Sequence, residues 1–290
     1  EVIDLRILNP WDKETVLAAP ILDVYRNTDL VLMDSTNGSA RLEPREIRLA
    51  RLKTLVRGTL DRRGNVLLPS FANERGPEAI ISLIKQEIPV FMDGMGNRFL
   101  ELYRSPEGRW CDRDRMFHAS EPVWRYFSRV EQYRRNRNAP KQGVTRERIL
   151  NSKTPWVVVA TSATLKGGPS PEYAMRILED PQSSIIFLGY IFENTPAHDL
   201  FYKRGEPITL VTKMSPEGKP VTPQCQIEQV RLSAHMDQDA IVRFIGQIRP
   251  KQVAPVHCGG IDSHDAIEDR LRGKVRIVRT RNGRIVEAEL

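Results

Sequence analysis

Two histidines near the C-terminal end of the chain carry the strongest chemical signal. Ser233-Ala234-His235-Met236-Asp237 follows a strand-like run and opens a helical one. Pro255-Val256-His257-Cys258-Gly259 comes 22 residues on, again after a strand-like run. An imidazole can ligate a metal, or hold and move a proton at neutral pH. The spacing predicts both histidines at the C-terminal ends of neighbouring strands, the edge where open α/β sheets build their sites. A lone histidine is more often structural than a ligand; two at matching strand ends tilt the reading toward a site.

Those two positions depend on a series of elements. Thr28–Asp34 ends in the apolar run Leu30–Met33, a buried strand, and Glu46–Val56 has helical spacing of Ile47, Leu49, Leu52, Leu55 and Val56. Asn65–Phe71 is a strand closed by Pro69. Pro77–Gln86 is a helix, with proline early, where its missing N–H costs little. Pro89–Met92 is a strand, Asn97–Tyr103 a helix, Trp156–Ala160 a strand of three valines, Pro171–Leu178 a helix and Ser184–Gly189 a strand. This alternation predicts α/β architecture, with a parallel sheet covered on both faces. Beyond Gly205 the pattern changes. Ile208–Thr212 and Gln226–Leu232 read as strands, Asp239–Ile248 as a helix, Gln252–Val256 as a strand and Asp265–Leu271 as a helix. Val275–Val278 and Arg284–Glu289 then predict a hairpin about Asn282-Gly283. No internal repeat is present.

The 290 residues allow one large domain or two ordinary ones, and 40% apolar with 28% charged residues is the composition of a soluble globular protein. No run of about 18 apolar residues predicts a membrane span. No signal peptide is expected; Glu1 is not an initiator methionine, so a chain cut from something longer, or processed, is expected. The net charge of +7 suits polyanions, nucleic acid first among them, or merely a soluble basic protein. Cys111, Cys225 and Cys258 form no CxxC pair and no disulfide framework, which fits a reducing cytoplasm. Arg104–Arg148 stands apart as basic and aromatic, with Trp124, Arg125, Tyr126, Phe127, Arg129, Tyr133, Arg134 and Arg135. Its first half reads as an amphipathic helix. Its aromatics and arginines suit bases and phosphates, or else a core face and a solvated face; one helix can serve both.

Several motifs occur in one order. Leu32-Met33-Asp34-Ser35-Thr36-Asn37-Gly38 resembles an acidic residue followed by Ser-Thr-Tyr-Gly. Leu68-Pro69-Ser70-Phe71-Ala72 with Arg75 and Glu78 resembles Pro-Ser-Phe-Ala…Gly-Arg…Glu. Thr161-Ser162, Leu165 and Gly167-Gly168-Pro169 resemble Thr-Ser-Gly-Met-Leu-x-Gly-Gly-Pro, and Gly189-Tyr190, Glu193 and Thr195-Pro196 resemble Gly-Tyr-x-x-Glu-Gly-Thr. With Ser-Ala-His-x-Asp and the later Val-His, these cover nearly the whole chain. Together they resemble the β-CASP nucleases of the metallo-β-lactamase superfamily, which include RNase J and the endonuclease of the polyadenylation machinery. Ser162-Ala163-Thr164 also resembles a helicase motif, but no GxxxxGK[ST] loop accompanies it.

The resemblance implies two zinc ions bridging an attacking hydroxide. It makes His257 and Asp4 metal ligands. His235 becomes the group that touches the scissile phosphate and protonates the leaving oxygen, and Asp34 the carboxylate that orients His235. A turn-forming Asx role is the alternative for Asp34. Arg75 and Ser162, within the resembling motifs, are RNA-binding candidates, and the basic aromatic segment adds Arg125, Arg129, Arg134 and Arg135. A histidine at position 257 is the pattern of the RNA-cleaving members, so single-stranded RNA is the expected partner.

The departures are as informative. The HxHxDH hallmark should precede Asp34, but the histidines are His118, His198, His235, His257 and His264, none so arranged. The histidine expected before the bridging aspartate is absent, and Ile3 stands where a glycine should precede Asp4. Asn37 replaces a tyrosine, Glu74 a glycine and Cys258 a glycine; Cys258 is an added soft ligand or a buried small residue. Three functions follow: part of an active ribonuclease completed by its N-terminal half or a partner chain, a non-catalytic RNA-binding scaffold subunit, or a small-molecule metallo-hydrolase. The expected architecture is 1–38 as the tail of the first part of an αββα metallo-β-lactamase domain, 39–225 as an inserted β-CASP domain, and 226–290 as the return. The active site is expected in the cleft between them.

Overall fold

The computed structural model describes residues 2–5, 26–73, 75–84, 88, 90–104, 146–233, 235–258 and 261–280. They fall into two compact units, divided between Pro44 and Arg45 and between Ser233 and Ala234.

The Arg45–Ser233 unit is built on a five-stranded parallel sheet. Its strands are β3 (Val66–Pro69), β4 (Phe91–Asp93), β5 (Val157–Ala160), β6 (Ser184–Phe187) and β9 (Gln226–Gln229), in the order β4-β5-β3-β6-β9. Every residue of β3, β5 and β6 is buried, as expected of strands covered on both faces. The two-residue period of a strand then sorts the side chains. Val66, Leu68, Val157, Val159 and Ile186 join one core, with Leu52 and Val56 of α1 (Arg45–Asp61) and Ile80 and Leu83 of α2 (Arg75–Ile84). Leu67, Val158, Ala160, Ile185 and Phe187 join the other, with Tyr173, Ala174 and Ile177 of α5 (Ser170–Ile177). Each such aliphatic side chain contributes roughly 1.5–3 kcal/mol by leaving water. Ser184 is the polar exception; its hydroxyl meets Thr59 Oγ1 at 2.8 Å and accepts from Arg62 at 2.7 Å. Between β4 and β5 lie α3 (Gly96–Arg104) and α4 (Arg146–Leu150).

The other unit carries β1 (Val2–Leu5), β2 (Leu30–Asp34), β10 (Gln252–Val256) and β11 (Arg276–Ile277), all parallel, in the order β1-β2-β10-β11. Val31, Met33 and Val253 pack with Ile241, Phe244, Ile245 and Ile248 of α7 (Gln238–Ile248) and Ile267 and Leu271 of α8 (Ile261–Leu271). The Asp237 side chain caps α7 by accepting from the Ala240 N–H at 2.9 Å, and Arg249 ends it in the left-handed region at φ 48°.

Several elements differ from expectation. β9 pairs with β6, and Ile227 enters that unit's core, so 226–233 lies with Arg45–Ser233 rather than with the C-terminal return. The helix α6 (Pro196–Tyr202) was not anticipated; Thr195 caps it through the His198 N–H at 3.2 Å, with Pro196 at its first position. Nor was β8 (Lys219–Val221), antiparallel to β7 (Ile208–Leu210). β11 pairs in parallel with β10, and the second arm of the expected hairpin lies outside the described residues. Among the described residues, no helix is long and apolar enough to cross a membrane.

Candidate active site

Strand register builds the first half of the site. β2 and β10 run parallel with Asp34 level with Val256, so Asp34 and His257 come together where the two strands end. The Ser35 N–H donates to the Val256 carbonyl at 2.9 Å and extends the ladder by one bond. His257 then leaves the strand at φ 52°, a left-handed conformation that histidine tolerates better than most residues, at a cost of about 1 kcal/mol or more.

His235 arrives by another route. It follows β9, which belongs to the other sheet, so the two histidines do not end neighbouring strands as expected. The neighbour of β10 is β2, and Asp34 is the residue its end presents. What holds His235 is the segment after Asp34. Asn37 bridges to Asp237, Asn37 Nδ2 donates to the His235 carbonyl at 3.4 Å, and Leu42 N–H donates to the Asp237 carboxylate at 3.1 Å. This segment lies tight on α8: a Cβ at Gly38 would stand 2.5 Å from the Ser263 carbonyl oxygen, so only glycine fits.

One carboxylate oxygen gathers the site. Asp34 Oδ2 is 2.9 Å from His235 Nδ1 and 2.9 Å from His257 Nδ1, with the ring centroids 5.4 Å apart. Asp34 Oδ1 accepts the Thr36 N–H at 3.0 Å. Asp34 is 1% exposed. Burial, the largest single influence, pushes its pKa up, but His235, His257 and the Thr36 N–H outweigh it and hold it below the usual carboxylate value. An ionised carboxylate only accepts, so both Nδ1 atoms carry hydrogen. In the neutral tautomer that such a bond selects, the ring's lone pair is on Nε2, across the ring from Nδ1. This is the arrangement in which a carboxylate fixes the tautomer of a metal-ligating or proton-moving histidine. His235 is 16% exposed at its side chain and His257 60%, so the second ring is open to an incoming group.

Sequence reasoning gave Thr36 no role. Its hydroxyl lies 2.8 Å from His257 Nδ1, 3.1 Å from Asp34 Oδ2 and 3.0 Å from the His257 carbonyl. It therefore ties the carboxylate to the ring from the side. The available signal was a threonine two residues after the aspartate, where side chain and backbone N–H both reach back.

Of the other expected site residues, Asp4, Arg75 and Ser162 lie on described backbone. The register places Asp4 level with Leu32, two residues short of Asp34. Arg75 and Ser162 belong to the Arg45–Ser233 unit, and the Ser162 hydroxyl is used locally, 2.7 Å from Thr164 Oγ1. Arg125, Arg129, Arg134 and Arg135 lie outside the described residues. Cys258 is not a member of the Asp34 cluster; burial, then the Asp34 charge, push its thiol pKa up. A second cluster, His264, Asp265 and Glu268, is already served by a cation. Arg279 Nη2 stands 2.5 Å from Glu268 and 3.4 Å from Asp265.

Comparison with known proteins fits this picture. Residues 66–200 match the Beta-Casp domain, and residues 221–273 match the Zn-dependent metallo-hydrolase RNA specificity domain. The chain carries a Beta-Casp domain followed by a Zn-dependent metallo-hydrolase RNA specificity domain. It is 26% identical over 263 residues to Transcription termination factor FttA of Thermococcus kodakarensis, covering 84% of this chain and 38% of that protein. It is 26% identical over 250 residues to an RNase J-like protein of Methanocaldococcus jannaschii, covering 79% and 52%. It is 24% identical over 242 residues to Endoribonuclease YSH1 of Candida glabrata, covering 79% and 30%. This β-CASP chain thus spans 38% of the length of the first of these relatives. A solved structure from Enterococcus faecalis V583, of unknown function, aligns with 91% of this chain and 53% of that one, at TM-score 0.49 and 13% identity. That likeness is too loose to argue from.

The donors fit one corner of a zinc site. Asp34, His235 and His257 bring ligand atoms within 4.8 Å of one another. A tetrahedral zinc needs four donors and a bridged pair more, so this trio is a partial set.

Proposed function

We propose that this chain contributes Asp34, His235 and His257 to the active site of a zinc-dependent RNA phosphodiesterase, with further metal ligands from outside the described residues. The observation that carries the reading is the single Asp34 oxygen bound to both Nδ1 atoms. His257, the more exposed ring, is the metal-binding histidine. His235, more enclosed, contacts the scissile phosphate and, as the doubly protonated ring, gives its Nε2 proton to the leaving oxygen while Nδ1–H stays on Asp34. Asp34 holds both rings in one tautomer, and Thr36 braces His257. Zinc, when bound, supplies a hydroxide nucleophile at neutral pH and neutralises charge on the phosphate. RNA is the substrate the matched RNA specificity domain favours. Single-stranded RNA is the form we assign, in a reducing cytoplasm.

The test is cleavage of a labelled single-stranded RNA by the full-length natural protein, with zinc and after chelation. Chelation should abolish cleavage and added zinc should restore it. Cleavage indifferent to chelator overturns the reading. A second reading, a non-catalytic RNA-binding subunit, draws on the partial donor set. Zinc absent from the purified full-length protein, with RNA binding intact, would establish it instead.

A further inference from the structure

The loops leaving β3 and β6 expose a group of aromatic side chains that no element among the described residues covers. In Gly189-Tyr190-Ile191-Phe192 the period of two sends Ile191 into the core, 4% exposed, and leaves Tyr190 56% and Phe192 43% exposed. Phe192 meets Phe71 edge to face at 5.7 Å and Tyr190 edge to face at 4.9 Å. The Arg75 guanidinium lies over the Phe71 ring, 5.7 Å from its centroid. Gly189 makes room for it: a Cβ there would stand 2.9 Å from Arg75 Nε.

Topology singles out this place. β3 and β6 are adjacent and parallel. From β3 the chain crosses to β4 on one side of the sheet, and from β6 it proceeds to β9 on the other. Their carboxyl ends therefore flank a switch point, the crevice where open α/β sheets take ligands. Phe71 leaves one strand there, and Tyr190 and Phe192 the other. Packed rings that stay part-exposed, with a guanidinium beside them, match the chemistry of a nucleobase next to its phosphate. The +7 charge of the chain favours the same polyanion.

We propose that Tyr190 and Phe192, with Phe71 and Arg75 behind them, form a stacking platform for unpaired bases of single-stranded RNA. This deepens the RNA reading above and rests on it. Stacking is sequence-tolerant, so the platform recognises single-strandedness rather than a base identity.

The experiment measures affinity of the full chain for a labelled single-stranded oligoribonucleotide across a salt series, using fluorescence anisotropy. Tyr190→Ala and Phe192→Ala should each weaken binding about 5- to 100-fold. The slope of log affinity against log salt should not change, because no phosphate contact is lost. Tyr190→Trp should keep wild-type affinity or better, which separates stacking from misfolding. On an abasic oligonucleotide of equal charge, wild type and Tyr190→Ala should bind alike. If both alanine variants bind the base-containing RNA as wild type does, the platform is overturned and the patch belongs to a protein partner. If the wild-type chain binds no RNA at any salt, the broader RNA reading falls with it.

Discussion

Two carboxylates end two parallel strands in this molecule, and their partners differ in kind. Asp34, at the end of β2, accepts from the imidazoles of His235 and His257. Asp93, at the end of β4, is held by Arg146 through bonds of 2.6 and 3.2 Å and by the Tyr173 hydroxyl at 3.1 Å. Arg146 also lies 3.6 Å from Glu172. A guanidinium is a permanent cation with no lone pair to offer, so it neutralises a carboxylate and stops there. The bond to Asp93 holds the Arg146 pKa up, and burial, then Asp93, push that of Tyr173 up. Both shifts keep the protons of Arg146 and Tyr173 in place at neutral pH. An imidazole bound through Nδ1 keeps Nε2 for a metal or a proton. What a buried carboxylate at a strand end does is thus decided by what donates to it.

The largest effect should come from breaking the first group. Asp34→Asn in the full-length protein replaces an acceptor of two N–H bonds by an amide that can turn its NH2 toward them. RNA cleavage should fall about 10- to 100-fold or more, as when other carboxylates that orient ligand histidines are removed. Its melting temperature should move much less than that of Asp93→Asn, as followed by thermal denaturation. Asp93→Asn strips a partly buried guanidinium of its main partner and should cost roughly 2–3 kcal/mol of stability, with activity per folded molecule retained. If Asp34→Asn cleaves RNA normally while Asp93→Asn is inactive, the assignment is reversed.

A smaller effect is expected at Thr36. Thr36→Val removes the hydroxyl bracing His257, and activity should drop severalfold, with about 1 kcal/mol lost from stability. Kinetics that do not change would show the brace to be dispensable. The finest comparison uses one thiol from each unit. Burial pushes the Cys225 pKa up to about 12 and, with Asp34, raises that of Cys258. A raised pKa means less thiolate at a given pH, so both react slowly with iodoacetamide at pH 8, Cys225 the slower. Asp34→Asn removes the charge that suppresses the Cys258 thiolate. It should speed alkylation of Cys258 and leave Cys225 unaffected, as read by mass spectrometry of the labelled peptides.

The parts of the fold readable in the sequence are those whose signal is local. Val66–Pro69, Val157–Ala160 and Ser184–Phe187 announce themselves as short apolar runs because both of their faces are buried. Pairing is not local. Nothing within Gln226–Gln229 says that it adds to β6 rather than lying beside β10, and that single pairing displaced the expected boundary and the expected strand-end histidine pair. The short helix Pro196–Tyr202 was hidden because Thr195-Pro196 read as a family motif, although the same residues make a capped helix start. At the site, residue types and order pointed to Asp34, His235 and His257. That one oxygen joins both rings, and that Thr36 completes the group, follows from the β2–β10 register and was legible only in three dimensions.

His235 carries the central claim, and His235→Ala in the full-length natural protein tests it most directly. Cleavage and binding of the same labelled single-stranded RNA would be measured side by side, with zinc present. The account predicts a loss of cleavage of about 100-fold or more, the scale of a lost proton donor, with RNA affinity nearly unchanged. Turnover equal to the wild-type protein would contradict it.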